Sequence, residues 1–253
     1  MQRYFLNKVY EKQETIEVSG DVYHHMIRVM RMTEEDQVYL AFLNQVIVAK
    51  IQKVGPETVE LIQMGTEEQQ KELPVRVTIA SGYPKGDKLD LIFQKATELG
   101  AFGLEAFPAA ASVVKWDHKK RQKKQERLQK IALEAAEQSH RSYCPTVRLY
   151  EQQQELIATF SQYTHVLVAY EESAKQNEKG KFVQTLTKLK QEDSLLLLFG
   201  PEGGFSPKEI ASFEAAGAQC CGLGPRILRA ETAPFYALSA ISYQTELMAS
   251  LNV

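Results

Sequence analysis

The sequence predicts an α/β protein in two parts: a small all-β domain over residues 1–70 and a largely parallel α/β domain over residues 74–253. Three observations carry this reading. Short apolar β segments with tight turns fill the first part. After Pro74, strand-like and helix-like patterns alternate. The unbroken apolar run Ser194-Leu-Leu-Leu-Leu-Phe199 suits a central strand covered on both faces.

In the first part, Val38-Tyr-Leu-Ala-Phe-Leu43, Val46-Ile-Val-Ala-Lys-Ile51 and Thr58-Val-Glu-Leu-Ile62 are separated by Asn44-Gln45 and Gly55-Pro-Glu57. Strands of this length with such turns predict a small barrel or sandwich. A helical stretch, Val22 to Met30, interrupts them. Gly65 to Glu72 is polar and without apolar period, and predicts a linker.

The second part begins with the strand Val75-Arg-Val-Thr-Ile-Ala80. Asp87 can cap a helix with Leu89, Ile92, Phe93 and Ala96 on its apolar face, ending at Gly100. A strand near Leu104 to Phe107 precedes a long helix over about 117–141. Further strands are expected at His165 to Tyr170, Ser194 to Phe199 and Gln219 to Leu223. Ser206-Pro-Lys-Glu209 has the pattern of a capping box with proline at the first helical position, and Gly217 closes that helix. Thr232 is the expected N-cap of the last helix, with Pro234 in its first turn. Phe235, Leu238, Ile241 and Leu247 lie on or near one face of it.

Charge is uneven along the chain although the net is −2. Lys and Arg against Asp and Glu number 7 and 11 over residues 1–70, 15 and 9 over 71–150, and 8 and 12 over 151–253. The middle third is therefore where a polyanion contact is expected. The densest run is His118-Lys-Lys-Arg-Gln-Lys-Lys-Gln-Glu-Arg127, which places Lys119, Lys120, Lys123 and Lys124 on a helix as a phosphate track or as a solvated face. No apolar stretch is long enough for a membrane span, and the N-terminus has no signal-peptide core. Cys144, Cys220 and Cys221 look like free thiols of a reducing cytoplasm. No Cys or His spacing suits a metal.

Two turns between an apolar strand and a helix carry the functional signal: Gly200-Pro-Glu-Gly-Gly204 and Leu223 to Ala233. Open α/β sheets bind ligands just beyond the carboxyl ends of their strands. Glycine there admits a backbone or ligand without a Cβ in the way. The first turn alone is compatible with a plain tight connection. The second holds Arg226, Arg229 and Glu231, a mixture suited to chemistry as well as to surface ion pairs. Neither is a Rossmann fingerprint, a Walker loop or a nucleophile elbow.

Gly200-Pro-Glu-Gly-Gly-Phe-Ser206 followed by Leu223-Gly-Pro-Arg-Ile-Leu-Arg-Ala-Glu-Thr-Ala233 resembles the RsmE family of 16S ribosomal RNA uridine N3-methyltransferases in the SPOUT superfamily. Tyr83-Pro-Lys-Gly-Asp-Lys88, Gln94-Lys-Ala-Thr-Glu-Leu-Gly100, Glu134-Ala-Ala-Glu-Gln-Ser-His-Arg141 and His24-His-Met-Ile-Arg-Val-Met-Arg31 match in the same order. The resemblance covers almost the whole chain, with mild departures at Ala101 and Ala230.

The resemblance implies a small PUA-like or OB-like β-barrel followed by an α/β SPOUT domain, a parallel sheet with a deep trefoil knot. It implies S-adenosylmethionine (SAM) as cofactor, a homodimer, and 16S rRNA within the small ribosomal subunit as substrate. Carried over, Phe199, Gly200, Pro201, Glu202, Gly203 and Gly204 form one wall of the cofactor site. Leu223, Gly224, Pro225, Ile227 and Leu228 form another, and the loop after Ala169-Tyr170 a third. Arg229 is the expected electrostatic stabiliser, with Glu231 as a base or as the residue that orients Arg229. Arg28, Arg31, Arg141 and Arg226 are expected to meet RNA, with Arg28 and Arg31 on one side of a short helix. Two other classes remain open: a SPOUT methyltransferase with another RNA target, and a non-catalytic RNA-binding relative.

Overall fold

The computed structural model describes residues 1–12, 14–68, 71–171 and 180–248. The chain divides into Met1–Glu72 with Ala136–Cys144, and Leu73–Ala135 with Pro145–Val253. The first unit therefore takes nine residues from the middle of the chain, 136–144, that the sequence reading gave to the second.

The first unit is a five-stranded sheet in the order β1-β3-β4-β5-β2. Its strands are β1 (Gln2–Phe5), β2 (Ile16–Ser19), β3 (Gln37–Ala41), β4 (Val46–Val54) and β5 (Thr58–Thr66). β3, β4 and β5 form an antiparallel meander, while β1 joins β3 in parallel. Ile16, Val38, Leu40, Ile47, Ile51 and Leu61 are buried in its core. β5 runs to Thr66, so the predicted linker is partly strand; residues 69 and 70 of it lie outside the described residues.

The predicted 22–30 helix is a short α1 (Gly20–Tyr23) and a π-helical turn, His24–Val29. Arg28 lies on that turn. Arg31 lies beyond it with φ +55°, so the two arginines do not share a helix face.

The second unit is a six-stranded sheet in the order β11-β9-β10-β6-β7-β8, parallel throughout. Its strands are β6 (Arg76–Gly82), β7 (Gly103–Phe107), β8 (Thr146–Leu149), β9 (His165–Ala169), β10 (Ser194–Phe199) and β11 (Gln219–Cys221). The helices are α2 (Lys88–Glu98), α3 (His118–Gln138), α4 (Gln153–Ile157), α5 (Gly180–Leu186), α6 (Pro207–Ala215) and α7 (Thr232–Ser242). Successive side chains of β10 alternate between two cores, as strand geometry requires. Leu195, Leu197 and Phe199 pack with Phe93, Leu128 and Leu238 on one face. Leu196 and Leu198 pack with Leu156, Ile210 and Phe213 on the other.

Local signals set most helix ends. Gly100 ends α2 at φ +91° and Gly217 ends α6 at φ +98°. Asp87 precedes α2, but its side chain makes no cap bond; its carbonyl accepts from Asp90 and Leu91. Glu231, not Thr232, occupies the N-cap position of α7. α3 ends at Gln138, before the predicted 141.

The predicted capping box is formed. Ser206 accepts from the Glu209 amide, and the Glu209 carboxylate accepts from the Ser206 amide at 2.8 Å. The same carboxylate accepts from the Ala110 amide at 2.8 Å and from Gln153 Nε2 at 2.9 Å. Burial alone would push the Glu209 carboxyl up; these donors outweigh it and hold it below the ordinary glutamate value. A depressed carboxylate stabilises the fold above its unfolded pKa, and that contribution disappears as pH falls through the folded value. Glu209→Ala should therefore cost about 2–3 kcal/mol at neutral pH. Urea titrations should show the gap from wild type closing as pH drops below the glutamate range, and a gap independent of pH would contradict it.

Candidate active site

Four parallel strands bring their carboxyl ends to one edge. Register places Phe199 beside both Ser81 and Ala169, and Cys221 beside Ala169. The connections that leave this edge are Tyr83–Lys88 after β6, the chain after Ala169, and the two turns after β10 and β11. The order of strands reverses between β6 and β10, which makes this the switch-point edge of the sheet.

A cavity of about 1040 Å³ opens there. Its wall contains all eleven residues expected to bind a cofactor: Phe199 to Gly204, Leu223, Gly224, Pro225, Ile227 and Leu228. Arg226 and Arg229 also line it. Of the expected third wall, Ala169, Tyr170 and Glu171 face the cavity, while residues 172–179 lie outside the described residues.

The first turn folds tightly on itself. The Gly204 amide donates to the Pro201 carbonyl at 2.9 Å, and Gly204 takes φ +67°. A Cβ on Gly200 would lie 2.9 Å from the Gly204 backbone. One on Gly203 would lie 2.7 Å from Ala111 Cβ. Glycine at 200 is thus required first by the loop's own closure, and only then by any ligand. In the second turn Gly224 takes φ +108°, which lets the chain turn away after β11. Ile227 is 78% exposed, an unusual state for an isoleucine at a cavity rim and suited to an apolar ligand face.

Lys88 connects the two turns, and the sequence reading did not single it out. Its Nζ lies 3.1 Å from Glu202 Oε1 in the first turn and 3.1 Å from Glu231 Oε2 in the second. The Lys85 amide donates to the Glu202 carboxylate as well, at 3.2 Å. Bonds to Glu202 first and Glu231 second push Lys88 above its ordinary value. Burial acts to raise Glu231, but its own amide and Lys88 outweigh that and hold it below the glutamate value. A carboxylate so stabilised is a poor proton acceptor. Glu231 forms an ion pair with Lys88 and also feels the charge of Arg229, the residue it was expected to orient. The available signal for Lys88 was its place in the Tyr83–Lys88 segment before an N-terminal helical turn.

Arg226 and Arg229 are exposed, and neither has an ion-pair partner within range among the described residues. Both line the cavity with exposed side chains, and the charge of Arg229 also acts on Glu231. Lys119, Lys120 and Lys123 are exposed along α3, and Lys124 is half-buried with its Nζ 5.9 Å from the Trp116 ring centre. Arg28 and Arg31 are exposed in the first unit.

Arg141 is placed differently from its expected RNA contact. It is 2% exposed, and its guanidinium pairs with Glu72. Its carbonyl accepts from Arg3, which also binds Glu67 and lies over the Tyr39 ring. A guanidinium buried and paired in this way holds the first unit together and is not presented to RNA. Among the described residues no cluster of His, Cys, Asp and Glu could hold a metal.

These features define an α/β domain with a ligand cavity at its strand ends, in a chain that also carries a small β domain. Residues 71–242 match the family described as RNA methyltransferase domain, and residues 18–63 match the RNA methyltransferase PUA domain. Ribosomal RNA small subunit methyltransferase E of Bacillus subtilis is 46% identical over 252 residues, 98% of each chain. A crystal structure of ribosomal RNA small subunit methyltransferase E from Neisseria gonorrhoeae bound to S-adenosyl methionine superposes with a TM-score of 0.80 at 24% identity, covering 96% of this chain and 97% of that one. A Legionella pneumophila protein described as a methyltransferase, in complex with bound SAM, superposes with a TM-score of 0.79 at 26% identity, covering 95% and 96%. The chain belongs to the ribosomal RNA small subunit methyltransferase E family, the family its motifs resemble.

The first turn's self-contact yields a prediction that needs no ligand. Gly200→Ala should force the turn open and speed hydrogen exchange at the Gly204 amide by at least about tenfold, the loss of one backbone bond. Unchanged protection at Gly204 would mean that the contact is not limiting.

Proposed function

We propose that this protein uses S-adenosylmethionine to methylate N3 of a specific uridine in 16S rRNA of the small ribosomal subunit. The observation that carries the reading is the single cavity wall built from both glycine-bearing turns, with exposed Arg226 and Arg229 on its rim. The family relationship names the reaction class. The residues present fit the cofactor: the main chain of both glycine-bearing turns lines the cavity beside the apolar Leu223, Ile227 and Leu228.

Bound there, SAM supplies a methyl group on a sulfonium. Leu223, Ile227 and Leu228 would pack on its adenine, and backbone groups of the two turns would hold the adenine edge and ribose. Much of the barrier falls when nucleophile and methyl are held in near-attack geometry. The uracil imide must lose its N3 proton, and negative charge then spreads over O2, N3 and O4. Arg229 donates to that charge as it develops. Glu231 keeps its proton-accepting capacity committed to Lys88, so the proton leaves by water or by another group. A base-paired N3 edge is blocked, so the target uridine is unpaired or extruded when it enters.

Lys119, Lys120, Lys123 and Lys124 give the rRNA backbone a phosphate track on α3, and Arg28 and Arg31 give it a second contact on the first unit. A homodimer, a trefoil knot in the C-terminal strands and a cytoplasmic location belong to the same reading. Exposed Tyr236, Tyr243 and Leu247 support the dimer. The placement of β10 between β6 and β9 supports the knot. Three free thiols support a reducing compartment.

Calorimetry with SAM tests the pocket: binding is expected, and no heat at any attainable concentration would remove the enzyme reading in favour of a non-catalytic RNA-binding protein. Arg229→Ala should lower kcat by about 10²–10³ with little change in SAM affinity, as loss of one transition-state donor does. An equal loss in cofactor affinity would make Arg229 a cofactor ligand instead. Neutralising Lys119, Lys120, Lys123 and Lys124 should weaken RNA binding and flatten its dependence on salt. An unchanged slope would return α3 to plain surface.

A further inference from the structure

The two carboxylates hold the charge of Lys88 against an unfavourable helix position. Lys88 is the first residue of α2, where the helix dipole disfavours a cation. It also lies between two carboxylates, each 3.1 Å from the same ammonium. Without it, Glu202 and Glu231 would stand near one another as uncompensated like charges. A cation at an unfavourable helix position that joins two separate loops is better explained by a task at the cavity than by the stability of α2.

Neighbouring contacts point the same way. Gly82 packs so closely on the first turn that a Cβ there would lie 2.6 Å from Pro201 Cδ. The Lys85 amide donates to Glu202. The connection between β6 and α2 is thus already docked on the first turn, and Lys88 carries it across to the second. The second turn has few ties of its own: Arg226 and Ile227 are exposed, and Glu231 at the N-cap of α7 makes no side-chain cap bond.

We propose that Lys88 is a positioning residue that sets the distance between the two cofactor-binding turns by pairing with Glu202 and Glu231 at once. Lys88 lines the cavity, and the role assigned to it is to act through the two turns. The two carboxylates serve as its anchor points, which accounts for the presence of acid groups beside a site for an anionic RNA. The proposal rests on the cofactor reading of the cavity, but the latch itself belongs to the ligand-free protein.

Three variants test it: Lys88→Met, Lys88→Arg, and Lys88→Met combined with Glu231→Gln. The first readout is amide hydrogen exchange without ligand. Lys88→Met should speed exchange across 223–231 by about tenfold, the size of one charge-assisted bond. The capping box at Ser206 and Glu209 should keep its wild-type protection and so report an intact fold. Lys88→Arg should restore most of the protection, and Glu231→Gln should recover part of it by removing the repulsion. The second readout is calorimetry with SAM and with its uncharged thioether product, S-adenosylhomocysteine. A displaced wall weakens both by a common factor, about tenfold. Tighter SAM binding with unchanged thioether binding would show that Lys88 acts on the sulfonium charge alone, and would overturn the proposal. So would wild-type exchange over 223–231 in Lys88→Met. If the wild-type protein bound neither compound, the cofactor reading would fall, and the exchange experiment would still decide the latch.

Discussion

The structure depends on one constraint: four parallel strands of the second unit must end in step. The row formed by Ser81, Phe199, Ala169 and Cys221 fixes where the chain leaves the sheet. Helices cover both faces of such a sheet, so the carboxyl edge is the place where irregular backbone can gather. Leu195 to Phe199, fully buried on both sides, hold that edge rigid. The glycine turns, the cavity and the arginines on its rim are what that fixed edge presents.

Charge is then distributed by role rather than by amount. Lys88 is enclosed by carboxylates and keeps the loops in place. Arg141 is buried against Glu72 and keeps the first unit together. Arg226, Arg229, Lys119, Lys120 and Lys123 are left exposed. Paired and buried cations are structural capital of the fold, whereas exposed ones on a substrate-facing surface can respond to an anion. The second unit thus places a charge-neutralised scaffold beneath a cationic rim, an arrangement suited to an RNA substrate and an imide whose charge grows during reaction.

The sequence was most legible where a single local rule decides the outcome. Ser206-Pro-Lys-Glu209 specified its capping box, and Gly100 and Gly217 their helix ends, because each depends on neighbours in the chain. The two turns were legible as a ligand site from their place between strand and helix, while the individual wall residues came from the family resemblance. β1, β2 and β8 were not, since each is four residues long and stands as a strand only through its partner. Arg31 left the helix face through a left-handed backbone that no periodicity signals. Arg141 looked like a surface helical arginine because its partner, Glu72, is 69 residues away. Lys88 stayed hidden for the same reason: its two carboxylates lie 114 and 143 residues further along the chain. The uridine and the cofactor came from family resemblance, since nothing in spacing or charge distinguishes them from other ligands of a glycine-rich turn.

The most direct test of the central claim is mass mapping of modified uridine in 16S rRNA from cells with this chain deleted and then restored. The account predicts one N3-methyluridine that disappears on deletion, returns with the wild-type chain, and does not return with Arg229→Ala at matched protein levels. An unchanged modification pattern after deletion, or full restoration by Arg229→Ala, would contradict it.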